Sequence, residues 1–140
     1  MLKNIYNQRV TILNKLKRTD SLTGADVWYK TVIEDAAWYT KAARTASGSG
    51  VYIGTYITVL LPFHSNYKNY LDWVAENNRE NYFTISENDY IVLGDVPEEI
   101  TADNVVKTLQ KYGENVCTVR SHSTQYQRYG AKVQVRIEGV

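Results

Sequence analysis

The chain is poor in the residues that usually do chemistry. A single cysteine, Cys117, stands among 140 residues. That excludes an internal disulfide and a cysteine-rich zinc site, and it fits a reducing compartment. The two histidines, His64 and His122, are isolated and do not supply the clustered ligands a metal needs. The formal net charge is only +1, without the basic stripe by which a protein holds duplex DNA. No apolar run reaches the ~18 residues of a membrane span, and the N-terminus carries no signal-peptide pattern. A soluble protein made in a cytoplasm, with no membrane partner, is the expectation. Neither G-x-G-x-x-G nor G-x-x-x-x-G-K-[S/T] occurs, which excludes nucleotide binding by those loops.

Nucleophilic catalysis needs a Ser or Cys with a histidine and a carboxylate. Cys117 lies in an apolar, strand-like context, where a buried inert thiol is the ordinary outcome. His122 follows near the end of the same run, so a hydrolase built on this pair is set aside. Glu98 and Glu99 are adjacent rather than spaced as an acid/base pair, and read as a solvated loop. The chain is therefore read as no enzyme, with no catalytic, cofactor-binding or metal-binding residues and no cofactor.

What the chain does have is tyrosine, 12 residues against two phenylalanines. Tyrosine suits half-buried strands and contact surfaces. Hydrophobic residues make up 44% of the chain, enough for one domain with its own core. The pattern predicts a mainly β fold, an antiparallel barrel or sandwich in a single domain over 1–140. Residues 9–16 alternate around Val10 and Ile12 on one face, with Arg9 and Thr11 on the other. Thr19-Asp-Ser-Leu-Thr-Gly-Ala25 is a turn by composition. A strand over 26–33 follows, Glu34-Asp35 interrupts it, and 36–42 resumes around Trp38 and Tyr39. Residues 51–61 form the longest β run, partly apolar on both faces and ended by Pro62.

The stretch 82–94 reads as a β-hairpin, with strands at 82–85 and 90–93 around Ser86-Glu-Asn-Asp89 and a release at Gly94. Two helices are predicted. A short one near 67–76 has Tyr67, Tyr70, Leu71 and Val74 as its apolar stripe and Ser65 or Asn66 as its N-cap. The other covers 102–112, capped by Thr101 and ended by Gly113. Residues 115–121 read as a strand and 123–130 as a polar loop. Residues 131–138 alternate with Val133, Val135 and Ile137 inward.

The segment 41–50 looks flexible, because small residues and two glycines bury little and lose much entropy on ordering. Lys41, Arg44, Thr45, Ser47, Gly48, Ser49 and Gly50 are its candidate contact residues, cationic and without an acid. A second use of the surface is conceivable for Trp28, Trp38 and Trp73, as stacking platforms of an oligonucleotide-binding barrel. The mixed charges favour packing roles for them.

Several features together resemble a known family. They are Thr19-Asp-Ser-Leu-Thr-Gly with Trp28, Trp38, Pro62 after the long strand, and Phe83-Thr-Ile-Ser-Glu-Asn-Asp-Tyr-Ile-Val-Leu-Gly94. Ile100-Thr101, Cys117-Thr-Val-Arg and the closing Val-Gln-Val-Arg-Ile-Glu-Gly139 complete the set. In this order, over most of 9–139, they resemble head-closure (stopper) and minor capsid proteins of siphophages infecting Gram-positive bacteria. The resemblance implies a virion protein of the neck, assembled in the host cytoplasm as a homo-oligomeric ring, a dodecamer. Such a ring closes the portal channel, retains DNA and offers the tail a docking surface. Its implied partners are portal and adaptor proteins, tail-completion or tail-tube proteins, and packaged DNA held without sequence specificity. In stopper proteins a loop between strands projects into the channel, and here its counterpart is 41–50. A Tyr-rich insert at 63–81 departs from the plain stopper and leaves adaptor and tail-completion roles open.

Overall fold

A computed structural model describes residues 5–47, 50–126 and 132–140. Six strands form a closed barrel in the order β1-β2-β3-β6-β5-β4. They are β1 (Gln8–Leu16), β2 (Val27–Ser47), β3 (Gly50–Pro62), β4 (Tyr90–Leu93), β5 (Val116–Tyr126) and β6 (Lys132–Gly139). Every neighbouring pair is antiparallel. Two short helices, α1 (Tyr70–Ala75) and α2 (Val105–Gln110), complete the domain. The mainly β class, the antiparallel barrel and the two helices expected from periodicity are all present.

Two strands turn corners and belong to both halves of the barrel. Residues 27–36 of β2 pair with β1, and residues 37–47 pair with β3. The register slips by one residue between Gln8 and Val10 of β1, opposite Ile33 to Ala36. Glu34-Asp35 therefore marks a bulge at the corner, not a break, and β2 is one strand of 21 residues. Likewise β5 meets β4 through 116–118 and β6 from Val119 onward. The barrel closes tightly where β5 crosses β6. A Cβ on Gly139 would run into the Thr118 carbonyl oxygen and Cys117 Sγ, so the approach requires glycine.

Both faces of β1 are buried, because the strand separates two cores. Val10 and Ile12 point into the barrel with Ile33, Val59, Leu61, Phe83, Ile91, Cys117, Val119 and Ile137. Leu13 points the other way, into a smaller core with Val92, Val96, Ile100, Val105 and Leu109 beneath α2. Thr11, on the face opposite Val10 and Ile12, is covered there and donates its hydroxyl to the Gly94 carbonyl at 2.8 Å.

The hairpin expected at 82–93 does not form. β4 lies between β1 and β5, whereas 82–85 crosses the barrel mouth and sends Phe83 and Ile85 into the core. Phe83 bridges Tyr67 in parallel, and Asn14 takes the place of a strand partner for Thr84. Its Nδ2 donates to the Thr84 carbonyl at 2.5 Å and its Oδ1 accepts from the Thr84 amide at 3.3 Å. The turn itself is present, with Asn88 at φ +73° as Asn tolerates.

Both helices are shorter than predicted. Asn69, not Ser65 or Asn66, caps α1, accepting from the Asp72 amide at 2.9 Å. Tyr67 is thereby excluded from the helix, Leu71 stands 78% exposed, and Trp73 is the residue that is buried. Before α2, Thr101 and Asn104 form a turn in which the Thr101 amide donates to Asn104 Oδ1 at 2.8 Å. The helical bonding still starts at the Thr101 carbonyl, which accepts from the Val105 amide, and Gly113 follows α2 at φ +55°. β5 continues to Tyr126 through residues read as a loop.

Candidate functional site

The segment singled out for contact, 41–50, is not a loop over most of its length. Lys41, Arg44, Thr45 and Ser47 lie on β2, and Gly50 opens β3. Gly48 and Ser49 lie outside the described residues. The two strands are in continuous register from Ala37↔Leu60 to Ser47↔Gly50. Composition misled here because the small residues of β2 face a partner rich in β-branched residues. Val51, Ile53 and Thr55 lie opposite Ala46, Arg44 and Ala42 and extend the ladder.

The geometry of this ribbon sets it apart. β3 pairs with β6 only from Ile57 to Pro62, and β2 leaves β1 at Ala36. Among the described residues, 41–47 and 50–56 pair only with each other. The ribbon therefore runs about 20 Å past its last third strand, at ~3.4 Å per residue. Its edges carry unpaired backbone donors and acceptors, a ready template for another strand.

The foot of the ribbon is aromatic and cationic on one side. Tyr39 and Tyr56 are about half exposed, at 47% and 50%. Lys41, Tyr56, Thr58, Arg136 and Glu138 surround a shallow depression of about 290 Å³. Arg136 Nε donates to Glu138 Oε1 at 2.9 Å, so part of its charge is already answered. On the other side an open groove of about 570 Å³ runs between Thr40 of β2, Thr55 and Ile57 of β3, and Gly113, Glu114 and the C-terminal Val140. These surfaces offer hydrogen bonding and shape.

The remaining candidates occupy structural places. Cys117 is fully buried in the main core, and burial pushes its thiol up to about 12, far from the thiolate that reacts. His122 sits on the exposed part of β5, with its pKa lowered by partial burial. Cys117 faces the core while His122 is exposed, so they are not a working pair. Tyr112 donates to Glu98 at 2.5 Å, which lowers the pKa of that carboxyl and ties α2 to the preceding loop. No group of three or more His, Cys, Asp or Glu residues converges among the described residues.

The tryptophans share no face. Trp73 is fully buried and meets Tyr29 edge-on at 5.2 Å. Trp28 leans on Tyr90 at 5.5 Å beside the α2 core, and Trp38 packs against the barrel core. A three-tryptophan stacking platform is thus not available.

One buried polar cluster escaped sequence reading. Asp89 is 2% exposed and accepts from Asn14 Nδ2 at 2.9 Å, from the Lys15 amide at 3.1 Å and from the Ser86 amide at 3.1 Å. Burial outweighs these donors and pushes its pKa up to about 6. The cluster fastens the plugging segment 84–89 to β1. Its only sequence signal was the spacing of Ser86 and Asp89 in a turn.

No curated protein and no solved structure matches the chain. The family described as DUF6751, a family of unknown function, matches residues 5–140, nearly the whole length, and the chain belongs to it.

Proposed function

We propose that this protein is a structural component of a phage neck, a ring subunit that closes the portal channel and presents a surface to the tail. The observation that carries the reading is the ribbon of 41–47 and 50–56. It extends from a closed barrel, between the strands where the family resemblance calls for a channel element. A small barrel with a compact core and one projecting two-stranded arm suits a part that must be held rigidly while reaching a neighbour or a channel. The cationic residues Lys41 and Arg44 along the arm suit nearness to packaged DNA without sequence specificity.

The reading is tested with DNA-filled, portal-bearing heads that lack this protein. Purified chain added to them is expected to bind at the portal vertex and to hold the DNA in. A variant with residues 44–53 replaced by a short turn is expected to bind but to let DNA escape. Binding to tails alone, or only above another connector protein, would reassign the chain to tail completion or to an adaptor role. Binding to neither heads nor tails would remove the neck reading altogether.

A further inference from the structure

The barrel closes through its corners, yet the half made of β2, β3, β6 and β5 keeps two open edges. Among the described residues, one is 37–47 of β2, which pairs only with β3, and the other is 121–126 of β5, which pairs only with β6. Up to Val119 the outer side of β5 is satisfied, since the Val119 amide and carbonyl bond Asp89 and Asn88. Beyond the register shift between Val119 and Ser121, no further strand pairs with β5 among the described residues, and Ser65, Tyr67, Lys68, Asn69 and Asp72 stand across a cleft of about 410 Å³ from Thr124 and Tyr126. Edge strands in soluble proteins are ordinarily blunted by charge, proline or a covering element. Ser121-His-Ser-Thr-Gln-Tyr126 has no proline and no lysine, arginine or carboxylate, and all but Thr124 are exposed.

The two edges also match in direction. In the order β2-β3-β6-β5 each neighbour is antiparallel, so β5 runs opposite to β2. A second copy related by rotation about an axis along the strands keeps the same senses. Its β2 edge then meets the first copy's β5 edge antiparallel, the more stable ladder. The β2 edge meets a different surface from its own, so the contact is heterologous and passes from copy to copy. Each copy adds four strands, about 19 Å at ~4.8 Å per strand.

We propose that copies of this chain join head to tail, the 121–126 edge of β5 in one pairing antiparallel with the 37–47 edge of β2 in the next. This deepens the ring of the proposed function by naming its contact, but the pairing is a property of the purified chain and is tested without heads or DNA. Failure here leaves the retention assay untouched, and failure there leaves this contact untouched.

The first measurement is amide hydrogen exchange of the wild-type chain at rising concentration. Exchange of the amides of 37–41 and of 121–126 is expected to slow together, at least tenfold, as larger species form. A chain that stays monomeric at about 1 mM, a free energy of only about 4 kcal/mol, overturns the proposal. So does protection that rises at one edge and not at the other.

The second measurement uses prolines. Successive N–H groups on a strand alternate between partner and open side, so of two adjacent prolines one removes only an outward donor. From Tyr39→Pro and Thr40→Pro, and from Ser123→Pro and Thr124→Pro, the folded member of each pair is taken. Each variant alone is expected to be monomeric, and a mixture of the two to stop at a one-to-one dimer. Assembly by either variant alone would mean a different contact, as would a mixture with no dimer.

Discussion

The barrel and the ribbon are made from the same two strands, yet they rest on different physics. Residues 57–61 of β3 have strands on both sides and bury Ile57, Val59 and Leu61 to 4% exposure or less. Six residues earlier the same strand has one partner and, among the described residues, no third strand. A two-stranded ribbon alone is marginal in water. Here it is anchored at its foot by the barrel. What a strand contributes to stability is thus decided by its neighbours rather than by its own residues. The barrel should carry nearly all of the folding free energy and the ribbon nearly none.

The sharpest way to break that contrast is to damage the barrel. Phe83 is 1% exposed at the centre of the main core and touches the rings of Tyr67 and His64. Phe83→Ala is expected to cost about 3–5 kcal/mol, read as a lower urea midpoint at unchanged slope. A loss under ~1 kcal/mol would mean that 82–85 is no real plug of the barrel.

The next effect is on pH. Asp89 has its folded pKa raised from 3.8 to about 6, chiefly by burial. The folded state therefore holds a proton that the unfolded state releases. Its contribution is fully present below pH 4 and is lost as pH rises through about 6, and a shift of ~2 units is on the order of 3 kcal/mol. The wild type minus Asp89→Asn difference in unfolding free energy should fall across pH 4–6 and be flat above pH 7. A flat difference throughout would place the Asp89 pKa at its ordinary value. Independently, Asp89→Ala at pH 7 strands the Asn14, Lys15 and Ser86 donors and is expected to cost about 1–3 kcal/mol.

These two sites differ in how far the sequence exposed them. The barrel class, the long strand stopped at Pro62 and the inward Val135 and Ile137 follow from alternation and a proline, both local signals. Partners are not local. Alternation at 82–85 and 90–93 announces two extended segments around a turn, but it does not say that β1 will intervene or that Asn14 will capture Thr84. Asn14 and Asp89 are 75 residues apart, and only the closed barrel brings them together. The ribbon was misread for the complementary reason. Its small residues look like a loop one strand at a time, and the ladder exists because the facing strand is β-branched. The tail of β5 looked like a loop because its polar residues are exposed on both faces, which is how an unpaired edge reads in sequence. The candidate residues 41–47 and 50 were therefore read in the wrong conformation, as a loop where the chain forms a ladder.

The smallest expected effect concerns the ribbon itself. Replacing 44–53 by a short turn removes pairs that no third strand supports among the described residues. The midpoint of unfolding is expected to shift by no more than the equivalent of ~0.5 kcal/mol, the range of surface changes. Shortening the loop gives back a little chain entropy, since each halving is worth only ~0.6 kcal/mol. A loss of several kcal/mol would mean that the ribbon folds back onto the groove beside Val140 and belongs to the barrel after all. A near-zero shift in stability, paired with loss of DNA retention on heads, would separate folding from function along one pair of strands. Stability and retention would separate in this way because a segment paired on one side only, among the described residues, is one that can reach a partner without loosening the fold.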